Sequence, residues 1–435
     1  MTIAIVGFAT EGVVSAGYFA GKGHEVTVCD RNSDLDIPSQ YNTQLGEGYL
    51  DKLDRFDVIV RSAGISPRVI LEQNPTVEPK ITTAVNEFLA HCPTKNTIGI
   101  TGTKGKGTTS TLTAKILEAA GKTVWLGGNI GRSPLEFIGD IQPDDWVVLE
   151  LSSFQLSDIA HAPHIATCLM VVPEHLDWHQ DLPDYTSAKK RPFQHQTAAG
   201  YSIYYSENAL SEEIAGTSPA QKIPYYTAPG AHIEQNAIVI DGHSICHTKE
   251  LKLLGKHNWQ NACAAITIAW QAGVRDPEVL RKVLSSFTGL PHRIEFVREV
   301  QGVRYYNDSF ATGLHATMAA IDAVSGKKVV MLGGYDRMLP LEHFADFAQA
   351  RHEQFRTLFL YGASGPRLAK VLKDHGFTNY YLDTTSRTMP EIVAGARKIA
   401  QHGDAVVFSP GFASFDMFKN FEERGNLFRE TVMDL

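Results

Sequence analysis

The chain has 435 residues, 43% hydrophobic and 20% charged, with a net charge of −8. This length exceeds what one core supports, so two or three domains of a packed soluble protein are expected, not a disordered chain. The acidic balance argues against a nucleic-acid partner, which needs a basic face, but leaves room for small anions held by a local lysine cluster.

The first ninety residues read as an α/β domain. Thr2–Val6 is a short apolar strand, Gly7 to Gly12 a turn, Val13–Ala20 a helix and Glu25–Cys29 the next strand, ended by Asp30. An acidic residue about twenty positions after a glycine turn is the pattern of a dinucleotide-type βαβ unit. The full G-x-G-x-x-G is missing, so the turn reads equally as a nucleotide site or as plain βαβ packing. Asp57–Ser62 is a further strand, Ala84–His91 a helix, and Cys92 to Asn96 a linker.

The central segment opens with TIGITGTKGKGTTS, residues 97–110. A strand through Ile98 and Ile100 runs into Gly102, Thr103, Lys104, Gly105, Lys106 and Gly107, and a helix is expected over Thr111–Ala120. Strand, glycine-rich loop and helix turn backbone N–H groups and a helix N-terminus toward a phosphate. Lys106 would add a point charge at the β- and γ-phosphates, and the next hydroxyl would meet Mg²⁺. The fit to G-x-x-x-x-G-K-[ST] is imperfect, with Ile100 and Gly107 off the pattern. Strands at Thr123–Leu126, Trp146–Leu149 and Ile165–Val172 alternate with helices or loops and predict a mostly parallel sheet. Ile203–Tyr205, together with the hairpin Ala237–Ile240, Asp241-Gly242, Ser244–Cys246, reads as an antiparallel edge. Lys256–Trp270 and Pro277–Phe287 are helices, and Thr288 to Pro291 is a second boundary.

The last segment repeats the βα rhythm. Strands fit Arg304–Asn307, Lys328–Leu332, Thr357–Tyr361 and Ala405–Ser409; helices fit His315–Ala323, Gly365–Asp374, Pro390–Gln401 and Phe415–Glu430. The five cysteines, Cys29, Cys92, Cys168, Cys246 and Cys263, lack CxxC spacing and read as reduced thiols of a cytoplasmic protein. No run of about eighteen apolar residues occurs and residues 1–6 read as a strand, so neither a membrane span nor a signal peptide is expected.

Several central strands end in polar residues. Glu150, after Trp146–Leu149, stands where a second Mg²⁺ ligand beside a phosphate loop belongs. The run Pro173 to His179 carries two histidines and two acids, Glu174 and Asp177, which fits a metal or phosphate site or a surface loop. Gly127, Gly128, Asn129, Ile130 and Gly131 would let backbone approach a ligand. Lys189, Lys190 and Arg191 form a basic trio at a helix start.

The stretches GITGTKGKGTT, GGNIG, LELSSFQL, EHLDWH, SAKKR, GKHNWQN, LPHRIE, NDSFAT, MLGG and SPGFASFDMFKNFEERG run in that order from residue 99 to 425. Together they resemble the Mur ligases, ATP-dependent amide-forming enzymes of peptidoglycan precursor synthesis, and their relative folylpolyglutamate synthase. The final stretch is most similar to the type that adds D-glutamate to UDP-N-acetylmuramoyl-L-alanine.

The resemblance implies an α/β fold of three domains. These are a Rossmann-like UDP-binding domain (1–92), a P-loop ATPase-like domain with a mostly parallel sheet (93–290) and a Rossmann-like closing domain (291–435), with hinges near 93 and 290. It implies a cytoplasmic monomer that uses ATP, two Mg²⁺ ions, UDP-N-acetylmuramoyl-L-alanine and D-glutamate. Gly102, Thr103, Lys104, Gly105, Lys106, Gly107, Thr108 and Thr109 would hold the ATP phosphates, with Asn258, Asn261, Arg293 and Asp308 on the nucleotide. Glu150 and the Thr108 hydroxyl would share one Mg²⁺. His175 and Lys189 would serve the other, the lysine as a carbamate formed with CO₂. Thr10, Glu11, Asp30 and Arg31 would lie around uracil and ribose, with Asn129 and Gln155 near the sugar-nucleotide. Ser414, Phe415 and Phe421 match glutamate-holding positions, with Thr312 and Arg337 nearby.

Three positions depart from the family pattern. Gly107 stands where Mur ligases usually have Ser or Thr and resembles folylpolyglutamate synthase. Phe310 replaces a lysine, and Arg337 stands where lysine is common. Two alternatives therefore stand beside the main reading. One is a ligase of the same family for another acceptor or amino acid, such as L-glutamate or a folate; the other is an inactive binding protein of this fold.

Overall fold

The computed structural model describes every residue except Asp177, Leu254 and Leu339. Two compact units are present: Met1–Leu251 with Lys256–Ser286, and Lys252–Gly255 with Phe287–Leu435.

The first unit carries two parallel sheets. One consists of β1 (Thr2–Val6), β2 (Glu25–Asp30), β3 (Asn42–Leu45), β4 (Val58–Arg61) and β5 (Ile81–Thr82), in the order β3-β2-β1-β4-β5. Strand order reverses between β1 and β4, so a crevice opens at their carboxyl ends, where such sheets bind ligands. The other contains β6 (Thr97–Thr101), β7 (Val124–Gly128), β8 (Trp146–Glu150), β9 (Ile165–Cys168), β10 (Tyr201–Tyr205) and β11 (Gln221–Tyr225), in the order β11-β10-β9-β6-β8-β7. β6 and β8 are buried along their whole length, as expected for parallel strands covered on both faces. The central position of β6 places its following loop at the middle of the sheet edge. Arg61, at the end of β4 and fully buried, makes a bidentate pair with Asp158 at 2.6 and 2.7 Å and donates to the Phe154 carbonyl at 2.7 Å. The pair fixes the first sheet against the second.

Three antiparallel strands, β12 (His232–Glu234), β13 (Ala237–Ile240) and β14 (His243–His247), form a small separate sheet. Asp241 and Gly242 both have positive φ, the backbone that a two-residue hairpin turn requires. The expected antiparallel edge is thus only half right. The hairpin forms, but Ile203–Tyr205 lies in β10, parallel to β9 and β11 inside the main sheet. Its residues Ser202, Ile203 and Tyr205 are buried, so both faces are covered.

The second unit holds β15 (Glu295–Val300), β16 (Val303–Asn307), β17 (Lys328–Gly333), β18 (Phe355–Tyr361), β19 (Tyr380–Leu382) and β20 (Ala405–Phe408). Their order is β15-β16-β20-β17-β18-β19, with only β15 antiparallel. Apolar clusters lie on both faces, one around Leu332, Phe344 and Leu358, the other around Met331, Phe359 and Phe428.

Four helix starts differ from the sequence reading. The basic trio Lys189, Lys190 and Arg191, expected at a helix start, lies near the end of the helix Leu182–Gln194, which Asp181 caps by accepting from the Asp184 N–H at 2.8 Å. The helix after the first turn begins at Thr10, not Val13, which puts Thr10 and Glu11 at its N-terminus. The helix after the glycine-lysine loop begins at Lys106, not Thr111, because Gly105 takes the left-handed conformation as N-cap. The last helix begins at Phe421, not Phe415. Asn420 caps it by accepting from the Glu423 N–H at 2.8 Å, so Phe415 lies in an exposed loop.

Candidate active site

The loop leaving β6 is clamped from below. The Thr103 N–H donates to Met170 O at 2.8 Å, and the Thr103 hydroxyl lies 2.8 Å from the Tyr185 hydroxyl. Gly105 has φ +88°, and a Cβ there would lie 2.3 Å from Asn261 Oδ1, so no side chain fits. The helix that follows has no side-chain cap and no acid in its first turn. Its N-terminus therefore combines an uncapped dipole with two lysines, which favours an anion.

Lys106 Nζ donates to the carbonyls of Gly102 and Thr103, each at 3.1 Å. Lys104 is exposed and pairs with Glu174. Gly107 is buried in the first turn, which leaves Thr108 and Thr109 pointing differently. Thr108 is half-buried, whereas Thr109 is fully buried with its hydroxyl 3.5 Å from Asn261 Oδ1. Asn261 in turn donates to Asn258 Oδ1 at 2.8 Å, so both asparagines back the loop.

Glu150 ends β8, paired in register with Ile100 of β6, one strand from the loop. The residue is buried; Oε1 accepts from Asn129 Nδ2 at 2.7 Å and Oε2 has no partner. An unpartnered buried carboxylate oxygen costs several kcal/mol unless a cation meets it. The donor set fits magnesium, which takes one or two carboxylates and completes its shell with phosphate and water.

Lys189, 1% exposed, donates to Gly102 O at 3.0 Å and Thr101 Oγ1 at 3.3 Å, with Nζ 4.6 Å from the centre of the Tyr185 ring. Burial, reinforced by the nearby Lys106 charge, pushes its pKa down to about 7. His175 has φ +59°, and its exposed ring lies 4.8 Å from that of Phe154. His179 is not available in the same way. Its Nε2 meets Ser153 Oγ at 3.0 Å and its Nδ1 meets Asp184 at 3.2 Å, while burial lowers its pKa. Asp177, the second acid of that motif, lies outside the described residues. Among the described residues no three His, Cys, Asp or Glu side chains converge on one point, so the motif by itself is not a metal cluster.

At the first sheet, Asp30 Oδ2 accepts from the Phe8 N–H at 2.7 Å and shapes the turn after β1. Glu11, in the first turn of its helix, accepts from the Ala63 N–H at 3.1 Å and from Gln155 Nε2 at 3.3 Å. Thr10 and Arg31 are exposed beside them. Trp178 Nε1 donates to Gly64 O at 3.0 Å, so the histidine loop reaches the same crevice.

In the second unit, Thr312 and Arg337 line one cavity of about 510 Å³, with Tyr335, His315 and His343. Ser414, Phe415 and Phe421 do not line it. Ser414 is buried, Phe415 is exposed, and Phe421 packs edge-on against Phe310 with centroids 5.0 Å apart. Phe310 is also covered by the Arg293 guanidinium, 3.7 Å from the ring centre. Asp308 is buried, accepting from Ser409 Oγ at 2.6 Å and the Ile294 N–H at 3.1 Å, and burial raises its pKa to about 7.

Sequence reasoning missed Arg424, although it lies within the final family-like stretch. The fully buried guanidinium donates to Ser309 Oγ (3.0 Å), Ser309 O (2.8 Å) and Phe412 O (3.0 Å). It ties the loop carrying Thr312 to the loop carrying Ser414. Nothing in the local sequence separates this arginine from a solvated one on a charged helix.

The Mur ligase middle domain matches residues 100–269, and the Mur ligase, glutamate ligase domain matches residues 292–412. The UDP-N-acetylmuramoylalanine–D-glutamate ligase of Clostridium kluyveri is 34% identical, covering 100% of this chain and 96% of its own. The enzyme of the same name from Acetivibrio thermocellus is also 34% identical, over 99% and 96%. A crystal structure of MurF ligase from Thermotoga maritima in complex with ADP shares the fold at a TM-score of 0.59 and 16% identity, covering 100% of this chain and 95% of that one. With full-length identity at that level, the chain belongs to the Mur ligase family.

Proposed function

We propose that this chain adds D-glutamate to UDP-N-acetylmuramoyl-L-alanine, with ATP cleaved to ADP and phosphate through an acyl phosphate. The observation that carries the reaction class is the helix N-terminus at Lys106, without an acid in its first turn, following the strand next to the one that ends in Glu150 with its unpartnered carboxylate oxygen. The substrate pair follows from the names of the full-length relatives. In this reading residues 1–92 hold the UDP moiety, 93–290 ATP, and 291–435 the amino acid.

The carboxylate of the UDP-linked substrate attacks the γ-phosphorus in line and ADP leaves. The glutamate amine then attacks the acyl carbon, and phosphate departs. Lys106 and the loop amides neutralise charge on the transferring phosphoryl group, which is most of what the protein must do in such a step. Thr108 and Glu150 would hold one Mg²⁺, and His175 and Lys189 a second; when bound, the ions offset charge on the phosphate oxygens. The lowered pKa of Lys189 supports its carbamate form, since only the neutral amine adds CO₂ and the product presents a carboxylate to a cation. Asn258, Asn261, Arg293 and Asp308 would contact the nucleotide. Thr10, Glu11, Asp30, Arg31 and Gln155 would line the UDP crevice, and Thr312, Arg337, Ser414, Phe415 and Phe421 the amino-acid site.

Phosphate release is the test, assayed with ATP, UDP-N-acetylmuramoyl-L-alanine and either enantiomer of glutamate. Release with the D form alone is expected. Release with L-glutamate instead, or without the UDP substrate, would overturn the reading.

A further inference from the structure

The glycine run after β7 does more than approach a ligand: it is stitched onto Glu150. Gly128 has φ +100°, and a Cβ there would lie 2.2 Å from the Glu150 carbonyl oxygen, so only glycine lets the two chains meet. The next residue, Asn129, donates its backbone N–H to that same carbonyl at 2.8 Å. Its side-chain Nδ2 then donates to Glu150 Oε1 at 2.7 Å. A carboxylate only accepts, so the amide must present its NH₂ group and its orientation is fixed by chemistry. One carboxylate oxygen is thereby engaged, while Oε2 is buried without a partner. Asn129 itself is exposed, so the same residue is reachable from solvent.

The geometry points to Asn129 as the positioning residue for the metal-binding carboxylate: it locks the Glu150 rotamer and leaves Oε2 for a divalent cation. This rests on the reading of Glu150 as a magnesium ligand. The Gly128–Asn129 corner holds Glu150 at two points, carbonyl and carboxylate, and the carboxylate has no other hydrogen-bond donor among the described residues. Outer donors of this kind typically contribute about 10–100-fold to metal affinity, by removing the freedom of the ligand to turn away.

Mn²⁺ binding to the full chain with ADP and no UDP substrate, followed through the electron paramagnetic resonance of free Mn²⁺, tests this without turnover. Asn129→Ala and Asn129→Leu both remove the donor, and the leucine variant serves if the alanine variant does not fold. Each is expected to raise the Mn²⁺ dissociation constant at least tenfold, with ADP affinity in the absence of metal within twofold of the parent. Glu150→Gln is expected to lose the site. If Glu150→Gln loses Mn²⁺ while both Asn129 variants bind it as the parent does, the positioning role is wrong and the metal assignment stands. If Glu150→Gln binds Mn²⁺ unchanged, the metal assignment itself fails and the positioning role with it. Equal loss of ADP and Mn²⁺ in the Asn129 variants would mark a damaged loop and overturn the proposal.

Discussion

Two turns of the first unit share one construction and differ in charge. After β1, the chain turns through Gly7 into a helix whose first turn carries Glu11, with Asp30 holding the Phe8 amide. After β6, it turns through Gly105 into a helix whose first turn carries Lys106 and no acid. Both helix N-termini offer amide groups and a positive dipole end. In the first, carboxylates already occupy part of that field, so an incoming phosphate meets like charge. In the second, Lys106 adds to the dipole, no acid stands in the first turn, and the nearby carboxylate of Glu174 is paired with Lys104. In the proposed reading, strand–turn–helix geometry makes the place for a nucleotide at both turns, and the charges beside it select which end of the nucleotide is bound.

The sharpest way to break this contrast is Lys106→Ala. Removing the cation at the transferring phosphoryl group should lower phosphate release by about 10³-fold or more, while thermal stabilisation by UDP is retained. Unchanged ATP turnover would remove the charge argument altogether.

Glycine substitutions should separate the two turns. A Cβ on Gly12 would lie 2.0 Å from Gly7 O, and one on Gly105 would meet Asn261 Oδ1. Gly105→Ala should cost ATP binding at least about tenfold and leave the UDP shift intact, and Gly12→Ala the reverse, each through forced displacement of its turn. Calorimetric titration with ADP and UDP reads both; loss of both ligands in either variant would mean that the turns are not independent.

Within the lysine turn, Thr108→Ala should raise the Mg²⁺ concentration needed for half-maximal activity by about tenfold, the scale of a lost ligand contact. Thr109→Ala should leave that concentration unchanged and cost about 1 kcal/mol of stability, since its buried hydroxyl faces Asn261. A larger magnesium effect at Thr109 would shift the register of the loop by one residue.

The last effect concerns pH. Lys189 has a folded pKa of about 7 against an ordinary value of 10.5. Between those values the unfolded chain keeps a proton that the folded chain has lost, so stability rises with pH from about 7 to about 10. Lys189→Met should flatten that rise by on the order of 1–3 kcal/mol in urea melts run in CO₂-depleted buffer. No flattening would mean that the Lys189 ammonium is not penalised beside Lys106.

Much of the site is legible in the sequence, because its parts are local. The glycine-lysine loop and the acid after β8 announce themselves by composition and by their place after apolar runs, whereas the basic trio is visible only as composition and sits near the end of its helix. Helix starts are less legible. Gly105 opens its helix five residues before the apolar periodicity begins, and Asn420 delays the last one, because caps and left-handed glycines act through backbone hydrogen bonds that hydrophobic spacing does not register. The direction of β10 escapes a sequence reading for a related reason. Strand direction is set by which neighbour supplies the ladder, and that neighbour, β9, lies more than thirty residues earlier in the chain.

The sequence by itself determined the family, the glycine-lysine loop and the residue types proposed to hold a metal and a nucleotide, since these follow from spacing within short segments. Only the tertiary structure decided which oxygen of Glu150 is free, that His179 is tied up by Ser153 and Asp184, and that Arg424 binds two loops from beneath. Those are contacts between residues from 5 to 115 positions apart, formed when parallel strands bring distant loop ends to one edge.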